Sequence, residues 1–262
     1  MRTIVFLALF AAAVPAFGQT SPHFIELVRG SGLIFQGTVR AIGKATPTVI
    51  PQSNTAVVVV DRVLEALPPV GNPTGREVTV RLRDPNRLKP GQAATFFTYV
   101  YSAGATLGLQ EVGSLPPGEP TELEQRIREA RQVLADEALS KRLASARLVV
   151  VGEIGEPVAD TAARERVSEH DPLWRATPIR VDSFEKGAKT TGPVVVNVSY
   201  SDDVVWERAP KPEPKTIGIF LLQPDPGPDH WSRVSGLFLV DPLDVLPFNE
   251  LDRVRRLLRS PG

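Results

Sequence analysis

The chain has 262 residues, with 30 basic and 30 acidic side chains and 42% hydrophobic residues. This length and composition suit one or two globular domains. The even charge balance argues against a general nucleic-acid-binding protein. The sequence contains no cysteine, which excludes disulfides, thiol catalysis and cysteine-ligated zinc.

The N-terminus has the pattern of a targeting segment. Arg2 precedes an apolar run, Ile4 to Val14, that is too short to cross a bilayer comfortably, and Ala16-Phe17-Gly18 offers small residues for cleavage. We expect a signal peptide over residues 1–18 and cleavage before Gln19, so that the mature protein is exported, periplasmic or extracellular, without stable membrane insertion. The alternative is an N-terminal anchor that stays attached. An exported chain without disulfides is typical of a bacterial envelope.

The first half of the mature chain predicts a short helix followed by five strands. Pro22 favours a first helical turn, and the helix extends over 23–29. Apolar runs and alternating patterns predict strands over 33–42, 55–65, 77–83, 93–101 and 107–112.

The pattern then becomes helical. Thr121-Glu122-Leu123-Glu124 has the form of a capping box. One apolar face follows, formed by Leu123, Ile127, Ala130 and Leu134. We predict a second helical piece over Glu137 to Ser145. The second half repeats the strand order over 148–154, 174–184, 194–198, 216–222 and 236–240, and a last helix follows an N-cap at Asn249.

Matching residues that recur in the same order indicate that the chain is a duplication. Gly37 and Gly152 lie 115 residues apart, and Val60-Asp61 and Val181-Asp182 lie 121 apart. The remaining anchors follow in the same order, at Val78/Val194, Phe97/Phe220, Gly108-Leu109/Gly236-Leu237 and Thr121-Glu122/Asn249-Glu250. We therefore predict two domains, over residues 19–136 and 137–262.

Five short strands followed by a helix, occurring twice, predict a mainly β fold of two tandem five-stranded barrels, each with a C-terminal helix. A β-sandwich is the alternative. Three features carry a resemblance: the strand-one pattern at Phe35–Val39 and Val150–Ile154, the valine-rich second strand, and Pro90-Gly91 before Phe96-Phe97. In these features the chain resembles the oligonucleotide/oligosaccharide-binding (OB) barrel. More loosely, it resembles the modules of tissue inhibitors of metalloproteinases and of netrin C-termini. That family's inhibitory wedge is an N-terminal cysteine, so its mechanism carries over to no residue of this chain.

Two loops of the second copy hold the candidate ligand-binding residues, which are His170, Asp171, Trp174, Asp229, His230 and Trp231. These loops join strands one and two and strands four and five, and in OB barrels they flank the usual ligand face. Imidazole and carboxylate groups suit a divalent metal, and tryptophans suit stacking against a sugar or base. The alternative is that the loops are solvated and the tryptophans cover the barrel ends. The equivalent loops of the first copy hold no His or Trp, so we expect any such site in the second.

These patterns predict an exported, monomeric, non-catalytic binding protein of the cell envelope, with a protein or a polysaccharide as its ligand. No cofactor, bound metal or nucleic-acid partner is predicted. One alternative is a metal-assisted hydrolase with a site in the second domain that uses His170, His230 and nearby Asp residues; the other is a structural spacer.

Overall fold

The structure is a computed structural model, and it describes residues 21–68, 70–158, 173–201, 203–224 and 236–260. The predicted signal peptide lies outside these residues. The chain forms two compact units, the first ending at Leu134 and the second beginning at Ala135. No helix within the described ranges is long and apolar enough to cross a membrane.

The first unit is a closed five-stranded barrel with helices on its outer surface. Its strands follow the cyclic order β1-β2-β3-β5-β4. Neighbouring strands are antiparallel except β3 and β5, which are parallel. The elements are α1 (Pro22–Arg29), β1 (Leu33–Ile42), β2 (Thr55–Ala66), β3 (Glu77–Arg81), β4 (Ala93–Ser102), β5 (Gly108–Leu115) and the first part of α2 (Pro120–Ser145).

Alternation along the strands separates two cores in this unit. Residues facing into the barrel form one cluster, in which the rings of Phe35 and Phe96 stack 5.2 Å apart. Residues facing outward from β1 and β4, such as Ile34 and Phe97, pack beneath the helices with Phe24. Each strand therefore buries both faces where a helix covers it, which explains the long apolar runs of the sequence.

The second unit repeats this arrangement and adds a strand. Its sheet has the order β10-β8-β7-β6-β9-β11, and β10 also pairs with β9. Strands β6 to β10 therefore follow the same cyclic order as β1 to β5, with the equivalent pair β8 and β10 again parallel. The elements are the last part of α2, β6 (Leu148–Ile154), β7 (Leu173–Lys186), β8 (Val194–Tyr200), β9 (Ile217–Pro224), β10 (Leu237–Leu239), β11 (Val245–Pro247) and α3 (Leu251–Arg259). The predicted fold of tandem OB-like barrels is confirmed, and β11 is the strand that sequence did not predict.

The two anchor glycines occupy the same position in their barrels. Gly37 pairs with Val60 beside a β-bulge, and Gly152 pairs with Val181 beside an equivalent one. A Cβ on Gly37 would lie 2.7 Å from the carbonyl oxygen of Val59, and a Cβ on Gly152 would clash with the carbonyl oxygen of Arg180. Only glycine allows the neighbouring strand to approach this closely where the first strand bends.

The helices differ from the prediction in three ways. The two pieces predicted around residue 136 form one continuous helix, α2. The capping box at Thr121 was wrong, because α2 begins at Pro120, whose fixed φ angle suits the first helical position. Asn249 was also wrong as an N-cap, because it lies within a short 3-10 turn, Phe248–Glu250, before α3.

The repeat begins one helix earlier than the strand pattern indicated. Phe24 and Val28 of α1 lie 115 residues before Leu139 and Leu143 of α2, the same offset as between the two glycines. Both pairs pack on the outer side of the first strand of their unit. Helix α2 therefore closes the first unit with its N-terminal half and opens the second with its C-terminal half.

Ion pairs hold the helices of the second unit to the short 3-10 turn before β11 and to β7. Arg142 donates two hydrogen bonds of 2.6 Å to Asp244, a carboxylate with no exposed surface. Arg255 of α3 binds both oxygens of Glu185 on β7. These hydrogen bonds, with a further one from Ser183, hold the pKa of the Glu185 carboxyl below its ordinary value of 4.5 despite partial burial.

Candidate functional site

The structure describes one of the six predicted binding residues. His170, Asp171, Asp229, His230 and Trp231 lie outside the described residues, and Trp174 lies inside them. Within the described ranges, His, Asp and Glu side chains form no group of three or more that could hold a metal ion.

Trp174 belongs to an aromatic cluster on the outer side of the second barrel. Its ring meets Trp206 edge-on at 5.2 Å and Phe238 edge-on at 5.0 Å. Its indole nitrogen is buried without a hydrogen-bond partner among the described residues, as is the hydroxyl of Ser199 on the paired strand position. Trp206 and Phe238 are buried and pack like core residues, and Trp174 is half-buried.

A cavity of about 630 Å³ lies in the first unit, where three loops meet. The loops join β1 to β2, β2 to β3 and β4 to β5. We call it the loop cavity; its lining residues are Thr46, Pro47, Val70–Pro73, Arg76–Val78 and Gly104–Leu107. It lies in the copy in which sequence reasoning expected no site.

Threonine hydroxyls fix one wall of the loop cavity. The hydroxyl of Thr46 lies 2.8 Å from that of Thr79 on β3 and 2.9 Å from that of Thr106. The backbone amide of Thr46 donates to the Thr79 hydroxyl at 2.8 Å, and Thr48 also bonds Thr106. These bonds tie the first loop to the strand and to the β4–β5 loop, so this wall is formed before any ligand binds.

Other lining residues carry polar groups that no described residue binds. The side-chain oxygen of Asn72 accepts hydrogen bonds from the amide and hydroxyl of Thr74, at 3.0 and 2.7 Å. The side-chain amide of Asn72 is therefore held in place, and its donors make no hydrogen bond to a described residue. Arg76 and Glu77 are exposed, and neither side chain makes an ion pair or hydrogen bond with a described residue. The cavity thus combines fixed hydroxyls, an amide donor, a cation and an anion.

A second polar surface adjoins the loop cavity on the outer side of β3, β5 and β4. We call it the tyrosine–arginine face; its residues are Arg81, Tyr99, Tyr101 and Gln110. The guanidinium carbon of Arg81 lies 4.1 Å from the centre of the Tyr101 ring, and Tyr99 is 48% exposed. Gln110 donates to the backbone oxygen of Arg81 at 3.1 Å.

Glycine at position 108 makes this stacking possible. A Cβ there would lie 2.8 Å from the Cζ of Tyr101, so the ring lies directly over the glycine backbone. Leu107 lines the loop cavity and Gly108 lies beneath the ring. The cavity and the tyrosine–arginine face therefore meet at one peptide bond.

The equivalent face of the second barrel is closed. Asn197, 116 residues after Arg81, is buried, as is Ser199, and Phe238 on β10 packs against Trp174 and Trp206. The alternation of Glu77 to Arg83 predicts a strand with one solvent-facing side, but the site prediction followed the rarer His and Trp residues. The signal that could have found the first-unit site is the contrast between Arg81-Leu82-Arg83 and Asn197-Val198-Ser199 at equivalent positions.

No protein-family model matches the chain, and no curated protein matches it significantly.

Proposed function

We propose that the protein is an exported, non-catalytic binding protein that holds a segment of an envelope polysaccharide in the loop cavity of its first unit. The observation that carries this proposal is a preformed cavity of about 630 Å³ with hydrogen-bonding groups on its wall that pair with no described residue. Small-molecule sites commonly have volumes of about 300–1,000 Å³ and a few well-placed polar groups.

The chemistry of the wall favours a polysaccharide over a protein ligand. Sugar hydroxyls both donate and accept hydrogen bonds, and the wall offers both kinds of partner: the Asn72 amide and Arg76 donate, and Glu77 accepts. A protein ligand would need a larger surface, since stable protein interfaces bury about 800 Å² on each partner. The proposed export rests on the N-terminal segment and places the protein where such polymers occur.

Calorimetric titration of the mature protein with a panel of neutral and acidic oligosaccharides tests the proposal. Asn72→Asp retains the oxygen that Thr74 uses and removes the amide donors, so it separates binding from loop folding. We expect Asn72→Asp and Arg76→Gln each to weaken binding by about tenfold, the contribution of one hydrogen bond to a charged or well-placed group.

Matched controls lie in the same unit on the exposed turn before β4. Asn86→Asp and Arg87→Gln make the same chemical changes at exposed positions outside the cavity, and we expect them to leave the affinity unchanged. The proposal fails if no oligosaccharide binds, or if the cavity variants and the control variants bind alike.

A further inference from the structure

Arg81 stands out in the first unit as a half-buried guanidinium without an acceptor. Its Nε is shielded from solvent, and no described residue accepts a hydrogen bond from its side chain. Half-buried Arg131 in the same unit shows the usual arrangement: it binds Glu65 at 2.7 Å and the carbonyl oxygen of Ser31 at 2.7 Å. Its two Nη groups are not shielded in this way and also have no acceptor among the described residues, so they are the atoms of Arg81 that an acceptor from solution can reach.

The guanidinium is also held in a fixed orientation. It stacks on Tyr101, and that ring rests on Gly108. The planar fork of arginine suits a carboxylate, which it can bind through two parallel hydrogen bonds. Because stacking has already ordered the side chain, little conformational entropy is lost when an anion binds.

The surroundings of Arg81 fit a sugar that carries the anion. Tyr99 offers an exposed ring on the same outer surface, and aromatic rings pack against the apolar faces of ligands while the polar edge stays hydrated. The loop cavity begins one residue away, at Leu107. A chain of sugars can therefore contact both places at once.

We propose that the tyrosine–arginine face is a second subsite for the same ligand, that Arg81 binds a sugar carboxylate there, and that the polysaccharide is therefore a uronate-containing polymer. This inference rests on the proposed function, because it extends the ligand outward from the loop cavity. It also assigns the two barrels different roles, since the equivalent face of the second barrel is filled by Asn197 and Phe238.

The test compares oligogalacturonate with its methyl ester, which has the same sugars and no carboxylate charge. We expect wild-type protein to bind the acid at least about tenfold more tightly than the ester. Arg81→Gln should abolish this preference. Arg81→Lys should retain only part of it, because lysine keeps the charge and loses the planar fork. Added salt should weaken acid binding in the wild type and have little effect in Arg81→Gln.

Two further variants test the role of the Tyr101 ring and separate the effect of Arg81 from a general charge effect. Gly108→Ala displaces the Tyr101 ring without changing any charge, and we expect it to reduce the preference for the acid. Arg40→Gln removes the same charge from an exposed position on β1 and should preserve the preference.

Equal binding of acid and ester overturns the inference and leaves the proposed function standing. The same conclusion follows if Arg40→Gln matches Arg81→Gln, since the effect would then be one of net charge. Failure to bind either oligomer overturns the inference. In that case the proposed function is decided by whether a neutral oligosaccharide from the panel binds in a manner that depends on Asn72.

Discussion

The buried ion pair of the second unit gives the sharpest prediction about stability. Asp244 accepts five hydrogen bonds: two from Arg142 at 2.6 Å, one from Gln223 at 3.1 Å, and one each from the backbone amides of Val240 and Asp241 at 2.8 and 2.9 Å. Asp244→Ala leaves the guanidinium and these amides without an acceptor. Breaking a buried pair from one side costs about 3–5 kcal/mol. We expect a loss of that size in the free energy of unfolding of the second unit.

The first unit suggests how to separate the charge from its packing. The residue equivalent to Arg142 there is Leu27, which is buried among apolar side chains. Arg142→Leu alone should also cost about 3–5 kcal/mol, because it leaves a buried carboxylate without its cation. The double variant Arg142→Leu/Asp244→Ala leaves no unpaired charge, so its cost should fall below the sum of the two single costs by about 2 kcal/mol.

Urea denaturation followed by tryptophan fluorescence measures this directly. All three tryptophans, Trp174, Trp206 and Trp231, belong to the second unit, so the signal reports that unit alone. Glu153→Gln, which removes an exposed pairing with Arg180, is the control and should leave the midpoint unchanged. A cost below about 1 kcal/mol for Asp244→Ala, or strictly additive single effects, would refute the reasoning.

Three other predictions concern the strands, the acid sensitivity and the N-terminus. Gly152→Ala should lower the free energy of unfolding measured by tryptophan fluorescence by about 1–3 kcal/mol, because its Cβ would clash with the backbone of the neighbouring strand. Gly37→Ala should leave the tryptophan signal unchanged and lower the unfolding midpoint measured by circular dichroism. Gly104→Ala is the control and should alter neither signal, because there is open space around Gly104. Because the pKa of the Glu185 carboxyl is lower in the folded state, its contribution to the free energy of unfolding is complete above pH 4.5 and is lost as the pH falls below that value. Glu185→Gln should therefore flatten the acid limb of the pH–stability curve, and an unchanged limb would contradict this. Mass spectrometry of protein recovered from the cell envelope should show a chain beginning at Gln19, and a full-length chain in the cytosol would contradict export.

Much of the strand arrangement could be predicted because it depends on local patterns. Inward-facing valines and the glycine of the first strand recur in order, and the structure places Gly37 and Gly152 at equivalent bulges. The register follows from alternation, since a shift of one residue would turn every buried side chain toward solvent.

The continuity of α2 was missed because its apolar face moves. Leu123, Ile127 and Ala130 pack in the first unit, and Leu139 and Leu143 pack in the second. The step from Leu134 to Leu139 breaks the spacing of three or four residues, and the sequence pattern therefore predicted two helices. Each half of α2 is helical because of the sheet that it covers, and this tertiary reason cannot be seen from periodicity alone.

The loop cavity could not be predicted because it depends on where three loops meet. Thr46 and Thr106 in its wall and the buried Thr79 behind them are far apart in the sequence, and hydroxyl residues are common in loops. The alternation of the sequence does predict that Arg81 lies on the solvent-facing side of its strand. That no described residue accepts a hydrogen bond from its side chain becomes apparent only when the neighbouring strands are in place.

The central claim is that the first unit binds a polysaccharide through the loop cavity. Amide chemical-shift mapping during titration with the best oligosaccharide of the panel tests it most directly. We expect the largest shifts at Thr46, Asn72, Arg76 and Thr106. Shifts concentrated instead around Trp174 and the loops of the second unit would contradict it.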